Sequence, residues 1–459
     1  MDQRLSDDLA DLPVLLHEAR ERAARFLAGV GERPVGPPPA PREPVALPER
    51  GQGTRGALEA FERRWEPGLS ASPGPRYLGF VTGGSTPAAL AGDWLTSAYD
   101  QNAASGGDSS AADLERETVT WLRDLLGLPA EQEGAFVSGA TMSNATGLAI
   151  AREWIGERRG VSVAEQGLAA LGPVRVLSGT PHSSVGKALS VLGLGRSALR
   201  RVGALPGREA VDVERLEAAL RELDGEPAIV VANAGTVNTA DFDDLRAVAA
   251  LRERYPFWLH VDAAFGAFAA LSPEHAHLVD GLGAADSICL DLHKWLNVPY
   301  DSAVQFTRRR DLQARVFRNS AAYLGPLGDR PDYLHLTPEN SRRLRALPAW
   351  FTLAAYGREG HAEIVRRDIA LAARLGERLA AMPAYRLLAP VRLNVVCFTL
   401  ASAPERIAEV ARAVAETGEA LLTTTEYAGV PALRAAFSNW RTTEADVDRV
   451  AKALERAAG

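Results

Sequence analysis

The chain has 459 residues, 46% of them apolar and 24% charged, with a net charge of −7. That length asks for two or three cores. An acidic balance without a basic, aromatic-interleaved cluster argues against nucleic acid as a partner, and no apolar run is long enough to span a membrane. The start, MDQRLSDDLADLP, lacks the basic-then-apolar order of a signal peptide. Cys289 and Cys397 show neither CxxC nor paired spacing and read as buried free thiols of a reducing cytoplasm. The eight histidines include no HExxH or other metal spacing, so no metal site is expected.

In chain order, Leu5, Leu9, Leu12, Leu15 and Leu16 recur at helical intervals. Residues 5–29 are therefore expected to form one or two amphipathic helices, divided at Pro13. The Pro-rich segment 32–50 cannot be helical and is either a linker or an extended arm. From about Pro75 to Tyr356, short apolar runs alternate with helical patterns. GAFVSG (134–139), VRVLSG (174–179), AIVVANAG (228–235), FWLHVDAA (257–264) and DSICLDL (286–292) read as buried strands. Between them SNATGLAIAREWIGE, DVERLEAALREL and DLRAVAALRERY read as helices. Such alternation predicts an α/β domain with a mostly parallel sheet. The remainder, 357–459, mixes strands (VVCFTLA, ALRAAFSN) and helices and reads as a smaller α+β domain.

In open α/β sheets ligands bind beyond the carboxyl ends of the strands, where Ser138, His182, Asn233, Asp262, His293 and Lys294 gather. Lys294 is one of three lysines among 51 basic residues. An amine can form a Schiff base with an aldehyde where a guanidinium cannot; a lone lysine is equally an incidental solvated one. Asp262 sits in the apolar HVDAAFGAF. A buried carboxylate needs a positive or donating partner, and a pyridinium N–H would serve, as would a helix cap or an arginine. His182, in TPHSSVGKA, could lie flat on a ring or simply cap the next helix. In VSGATMSNATGLAIARE a strand ends and a helix begins near Thr141. Its first-turn N–H groups at Thr141, Met142 and Ser143, with the two hydroxyls, suit a phosphate, though such turns also merely cap helices. Together these are the parts a pyridoxal 5′-phosphate (PLP) enzyme needs. No GxGxxG or Walker loop follows a strand, which disfavours a nucleotide-binding enzyme.

With these blocks in this order, joined by GFVTGGSTPAALAGDWLTS, LERETVTWLRDLLGLP, ANAGTVNTADFDDL, DSICLDLHKWLNVPYDSA, SRRLRALPAWFTLAAYG and LRAAFSNWRTTEADVD, the chain resembles the group II PLP-dependent amino-acid decarboxylases. That family includes aromatic-amino-acid, histidine and glutamate decarboxylases. The resemblance spans about residues 75–450. It implies the PLP-dependent transferase fold type I: N-terminal helices and a Pro-rich arm (1–74) wrapping a partner subunit, a large cofactor domain (75–356) and a small C-terminal domain (357–459). It also implies a homodimer with shared active sites that releases CO2 from an L-amino acid to leave the amine. By position, Lys294 becomes the Schiff-base lysine, Asp262 the ring-nitrogen partner, Ala264 a residue packed on the ring and His182 the stacking histidine. Residues 141–143 and His293 become phosphate contacts, and Asn233 falls where the family usually has threonine. The loop tyrosine that returns a proton after CO2 leaves is expected at Tyr333, with Tyr323 as second choice. Phenylalanine there marks aldehyde-forming relatives, so tyrosine favours simple decarboxylation.

The chain also departs from the family. Asp291-Leu292 replaces the usual Asn-Pro or Asn-Ala before His293-Lys294. A carboxylate repels a phosphate dianion, so Asp291 is left out of the phosphate contacts. On the substrate side a tryptophan is lost and Ser105, Gly106, Gly107 and Asp108 stand instead; a glutamate-specific glutamine is absent near Phe80. Neither an aromatic substrate nor glutamate is favoured by these residues. Oxidative deamination coupled to decarboxylation, another PLP reaction in biosynthesis, and a non-catalytic PLP-binding protein are the rival readings.

Overall fold

A computed structural model describes residues 1–36, 41–107, 109–319 and 330–459; Asp108, Tyr323 and part of the Pro-rich segment lie outside the described residues. The large sheet is made of β1 (Glu133–Val137), β2 (Val176–Ser178), β3 (Leu199–Arg201), β4 (Ala228–Asn233), β5 (Phe257–Asp262), β6 (Ser287–Asp291) and β7 (Ala303–Thr307), in the order β1-β7-β6-β5-β4-β2-β3. The five expected strands are all present. β2, β3, β4, β5 and β6 run parallel, while β7 lies antiparallel to both β1 and β6. Sequence reading missed β7, whose AVQFT carries a polar residue at its centre, and β3, an edge strand with two exposed arginines.

Why β5 is central follows from its alternation. Phe257, Leu259 and Val261 point into the main core, and Trp258 points the other way, into a second cluster with Leu148, Ile150 and Ile155. Those three belong to the helix Ala140–Arg158, which packs against β5, β6 and β7. A strand covered on both faces loses the alternating polar pattern, and each fully buried large aliphatic or phenyl side chain contributes about 1.5–3 kcal/mol.

The second sheet is antiparallel, ordered β10-β11-β9-β8 from β8 (Tyr385–Leu387), β9 (Val395–Leu400), β10 (Thr423–Tyr427) and β11 (Val430–Ala436). Its last helix, Glu444–Ala458, opens with a capping box in which Thr443 and Asp446 satisfy each other's backbone N–H groups. At the N-terminus the helices are Gln3–Ala10 and Leu12–Gly29. The break falls at Asp11 rather than Pro13, because proline in the first turn of the second helix loses no hydrogen bond. The pattern at 244–255 is α-helical only over Leu245–Ala250 and ends in a tighter turn. The long run Ala346–Ala380 is broken at Gly357, whose φ of 57° lies in the left-handed region. Among the described residues no helix is long and apolar enough to cross a membrane.

Candidate active site

The carboxyl ends of β4 and β5 are level: Asn233 pairs with Asp262, and Asp262 in turn with Cys289 on β6. Beyond them lies a cleft of about 590 Å³, lined by Lys294, Asp262, His182, Asn233, Ala264 and Ala140, among others. Five of the sequence-derived site residues are thus brought to one cavity.

Each is held by its own local structure. Asp262, the last residue of β5, is buried. Its Oδ2 accepts from Asn144 Nδ2 at 2.8 Å and its Oδ1 from the Ala264 N–H at 3.3 Å. His182 caps the helix Ser183–Val191, its Nδ1 accepting from the Ser184 N–H at 3.3 Å. Desolvation lowers the His182 pKa against the pull of the Asp262 carboxylate, which favours the neutral ring. Asn233 is tied through its N–H to Asp243 Oδ2 at 2.7 Å. Burial pushes the Asp243 carboxyl up to about 6.

Lys294 follows β6 on the short turn Leu292–Trp295, with Nζ 3.4 Å from Asp291 Oδ2 and 5.7 Å from the centre of the Phe265 ring. Gly83 packs directly on its backbone and donates its N–H to the His293 carbonyl at 3.1 Å. The His293 ring packs against Tyr300, tilted by 36° with ring centres 4.2 Å apart. A Cβ on Gly139 would come within 3.8 Å of His293 Cε1, so this ring stands beside the start of the helix Ala140–Arg158.

That helix start has no side-chain cap, and Ala140 opens on the cleft. Its first-turn N–H groups, at Ala140, Thr141 and Met142, are unsatisfied within the helix. The donor set fits a phosphate dianion, and a lysine amine with a fixed carboxylate, Lys294 and Asp262, both lining the cleft, fits a pyridine aldehyde. The residues present therefore suit PLP.

Two expectations need correction. The Ser143 hydroxyl donates to the Val304 carbonyl at 3.0 Å and its N–H to the Gly139 carbonyl at 2.9 Å, so this fully buried residue faces the sheet and has nothing left for a phosphate. Tyr333 is 1% exposed and packs with Ala112, Ala135, Ala314 and Leu336, beneath the Arg342 guanidinium 4.8 Å from its ring centre. Burial raises its phenol pKa well above the ordinary value. It is a core residue away from the cleft and cannot be the loop proton donor. Tyr323, the second choice, lies outside the described residues. Sequence reading also missed Asn144 and Ser184, which hold Asp262 and His182. Asn144 lies within the quoted SNATG block, one turn into a helix that faces the sheet.

Comparison with known proteins identifies the family and the fold. Residues 38–401 match the family model described as the pyridoxal-dependent decarboxylase conserved domain. Aromatic-L-amino-acid decarboxylase of Bacillus atrophaeus is 28% identical over 414 residues, covering 87% of this chain and 84% of the relative. The enzyme of the same name from Bos taurus is 31% identical, covering 80% and 77%. The crystal structure of Oryza sativa TDC with PLP and tryptamine superposes with a TM-score of 0.91 at 24% identity over 98% of both chains, which establishes the fold type I architecture. The chain belongs to the pyridoxal-dependent decarboxylase family and is a PLP-dependent amino-acid decarboxylase.

Proposed function

We propose that Lys294 holds PLP by its aldehyde carbon and that the enzyme converts an L-amino acid to its amine and CO2. The observation that carries the assignment is the convergence of Lys294, Asp262, His182, Asn233 and Ala264 on one cleft. When bound, the cofactor supplies a sink for the electron pair left at the α-carbon as CO2 departs.

The chain's own residues supply the rest. Asp262, fixed by Asn144 and the Ala264 N–H, would accept a hydrogen bond from a protonated ring nitrogen. His182 and Ala264, which both line the cleft, would pack on the ring. The N–H groups of Ala140, Thr141 and Met142, with His293, would hold the phosphate, and Asn233 would border the ring. His182 keeps a ring proton available to the substrate; by its place in the sequence Tyr323 takes the loop-tyrosine role that Tyr333 cannot.

A second copy of the chain completes the molecule in this reading. Leu5, Leu9 and Leu16 on the first two helices stand 60–61% exposed, and such an apolar stripe asks for cover. Residues 1–74 would embrace the partner. The break at Gly357 supports a boundary between a cofactor domain (75–356) and a small domain (357–459). The two buried free thiols fit a cytoplasmic enzyme.

The reaction is tested by assaying CO2, amine, aldehyde and peroxide together across the common amino acids with PLP present. Equal amounts of CO2 and amine are expected for at least one substrate; aldehyde with peroxide, or no CO2 from any of them, would overturn the proposal.

A further inference from the structure

Behind the cleft, Trp258, His260 and Asp262 alternate along β5 and so share one face. The pairing of β5 with β6 sets Ser287 opposite His260. The helix Ala140–Arg158 presses on this face at Gly147, where a Cβ would stand 2.7 Å from His260 Cε1 and 2.8 Å from its Nδ1. Only glycine allows that approach. The polar groups collected here are all buried, and their partners can be followed one proton at a time.

The Trp258 indole can only donate, and its Nε1–H donates to Ser287 Oγ at 2.9 Å. The Ser287 hydroxyl proton is thereby directed to His260 Nδ1, 2.7 Å away. Burial pushes the His260 pKa down to about 4, so at neutral pH the ring carries one proton. With Nδ1 accepting, that proton sits on Nε2 and goes to Asn144 Oδ1 at 2.8 Å. The Asn144 amide is then oriented with Nδ2 towards Asp262 Oδ2 at 2.8 Å and Ser184 Oγ at 3.0 Å. The far end demands the same orientation, because a carboxylate only accepts. Ser184 Oγ, having accepted from Asn144, donates to His182 Nδ1 at 2.8 Å, the nitrogen that also receives the Ser184 backbone N–H.

We propose that Trp258, Ser287, His260 and Asn144 form a one-way hydrogen-bond chain that fixes the Asp262 carboxylate and, through Ser184, the tautomer of His182. None of these five lines the cleft; they are positioning residues. The consequence is a neutral His182 whose single ring proton is on Nε2, the nitrogen left free for the cleft. There it offers a hydrogen-bond donor to a substrate carboxylate. That use rests on the proposed function; the tautomer itself does not.

The test is nitrogen NMR of the full chain labelled with ¹⁵N-histidine, recorded first without cofactor and then with PLP, with His182 assigned through a His182→Asn protein. One tautomer, protonated on Nε2, is expected for both His182 and His260. In Ser184→Ala the His182 ratio should move about fivefold towards the Nδ1 form, the equivalent of one neutral hydrogen bond, and Ser184→Thr should restore it. In Asn144→Leu, checked for folding by near-ultraviolet circular dichroism, both histidines should lose the single-tautomer pattern. Ser287→Ala should do so for His260. A parent His182 protonated on Nδ1, or unchanged His182 signals in Ser184→Ala or in folded Asn144→Leu protein, would overturn the proposal. Since the first spectra precede cofactor addition, the outcome is independent of whether Lys294 carries PLP.

Discussion

The Lys294 amine stands 3.4 Å from Asp291 Oδ2, and the other oxygen of that carboxylate lies 3.0 Å from His293 Nδ1. Asp291 is where the chain departs from the family pattern, and it is buried. A buried carboxylate beside the amine repels an incoming phosphate dianion. Asp291→Asn is therefore expected to take up PLP several-fold faster than the parent at neutral pH, followed by absorbance after rapid mixing. Equal or slower uptake would refute this electrostatic role.

Gly83 sets the height of the Lys294 turn. A Cβ there would overlap the Lys294 carbonyl oxygen and crowd the Asn297 amide, which donates to the Gly83 and Ser438 carbonyls at 2.6 and 2.7 Å. Backbone atoms cannot swing aside as a flexible side chain can. Gly83→Ala should lower cofactor occupancy and turnover together while far-ultraviolet circular dichroism stays as in the parent. Full occupancy with full turnover would show that the turn tolerates the shift.

Tyr333 packs beneath Arg342 of the buried Glu115–Arg342 pair, whose side chains are both 0% exposed and 2.9 Å apart. Removing only its hydroxyl keeps the ring in that packing. Tyr333→Phe should leave kcat and the amine product unchanged, with no aldehyde formed. A large fall in kcat, or aldehyde among the products, would return Tyr333 to the chemistry.

His361 is a buried group with a stability consequence. Its Nε2 approaches the Thr352 carbonyl at 3.3 Å, and burial pushes its pKa from 6.5 down to about 4. The folded state prefers the neutral ring, so this contribution is fully present above pH 6.5 and is lost as pH falls from 6.5 towards 4, at up to about 1.4 kcal/mol per pH unit. His260 acts in the same sense. Asp243, raised to about 6, acts in the opposite one, losing stability as pH rises from 3.8. The difference between parent and His361→Leu isolates the His361 contribution: in denaturant titrations the variant should lose less stability between about pH 7 and about pH 5. Superimposable acid limbs would contradict it.

Much of this was legible in the sequence because β4, β5 and β6 are covered on both faces. Their unbroken apolar runs stand out, and a polar residue at the end of such a run, Asn233, Asp262 or Asp291, marks the sheet's ligand side. β7 escaped because Gln305 interrupts its short apolar run, and β3 because an edge strand ending in Arg200-Arg201 has no apolar signature. The helix period exposes why Ser143 is no phosphate contact: Ser143, Gly147 and Ile150 share the face that meets the sheet, so its hydroxyl points away from the cleft. Tyr333 stands before the Arg342-Arg343 block, where the resemblance places the loop tyrosine, and nothing in that local string reveals that its ring is roofed by Arg342. His260 was readable in principle, since it lies two residues before Asp262 on the same side of the strand. What the string could not reveal is its pairing with Ser287 and Asn144, which are far from it in sequence.

The central claim is that Lys294 is the residue that carries PLP. Borohydride reduction of the PLP-loaded protein followed by peptide mass mapping tests it most directly. A single pyridoxyl adduct on Lys294 is expected, absent from Lys294→Ala, with the yellow chromophore lost in the same variant. An adduct on Lys187 or Lys452, or a chromophore that survives in Lys294→Ala, would contradict the assignment.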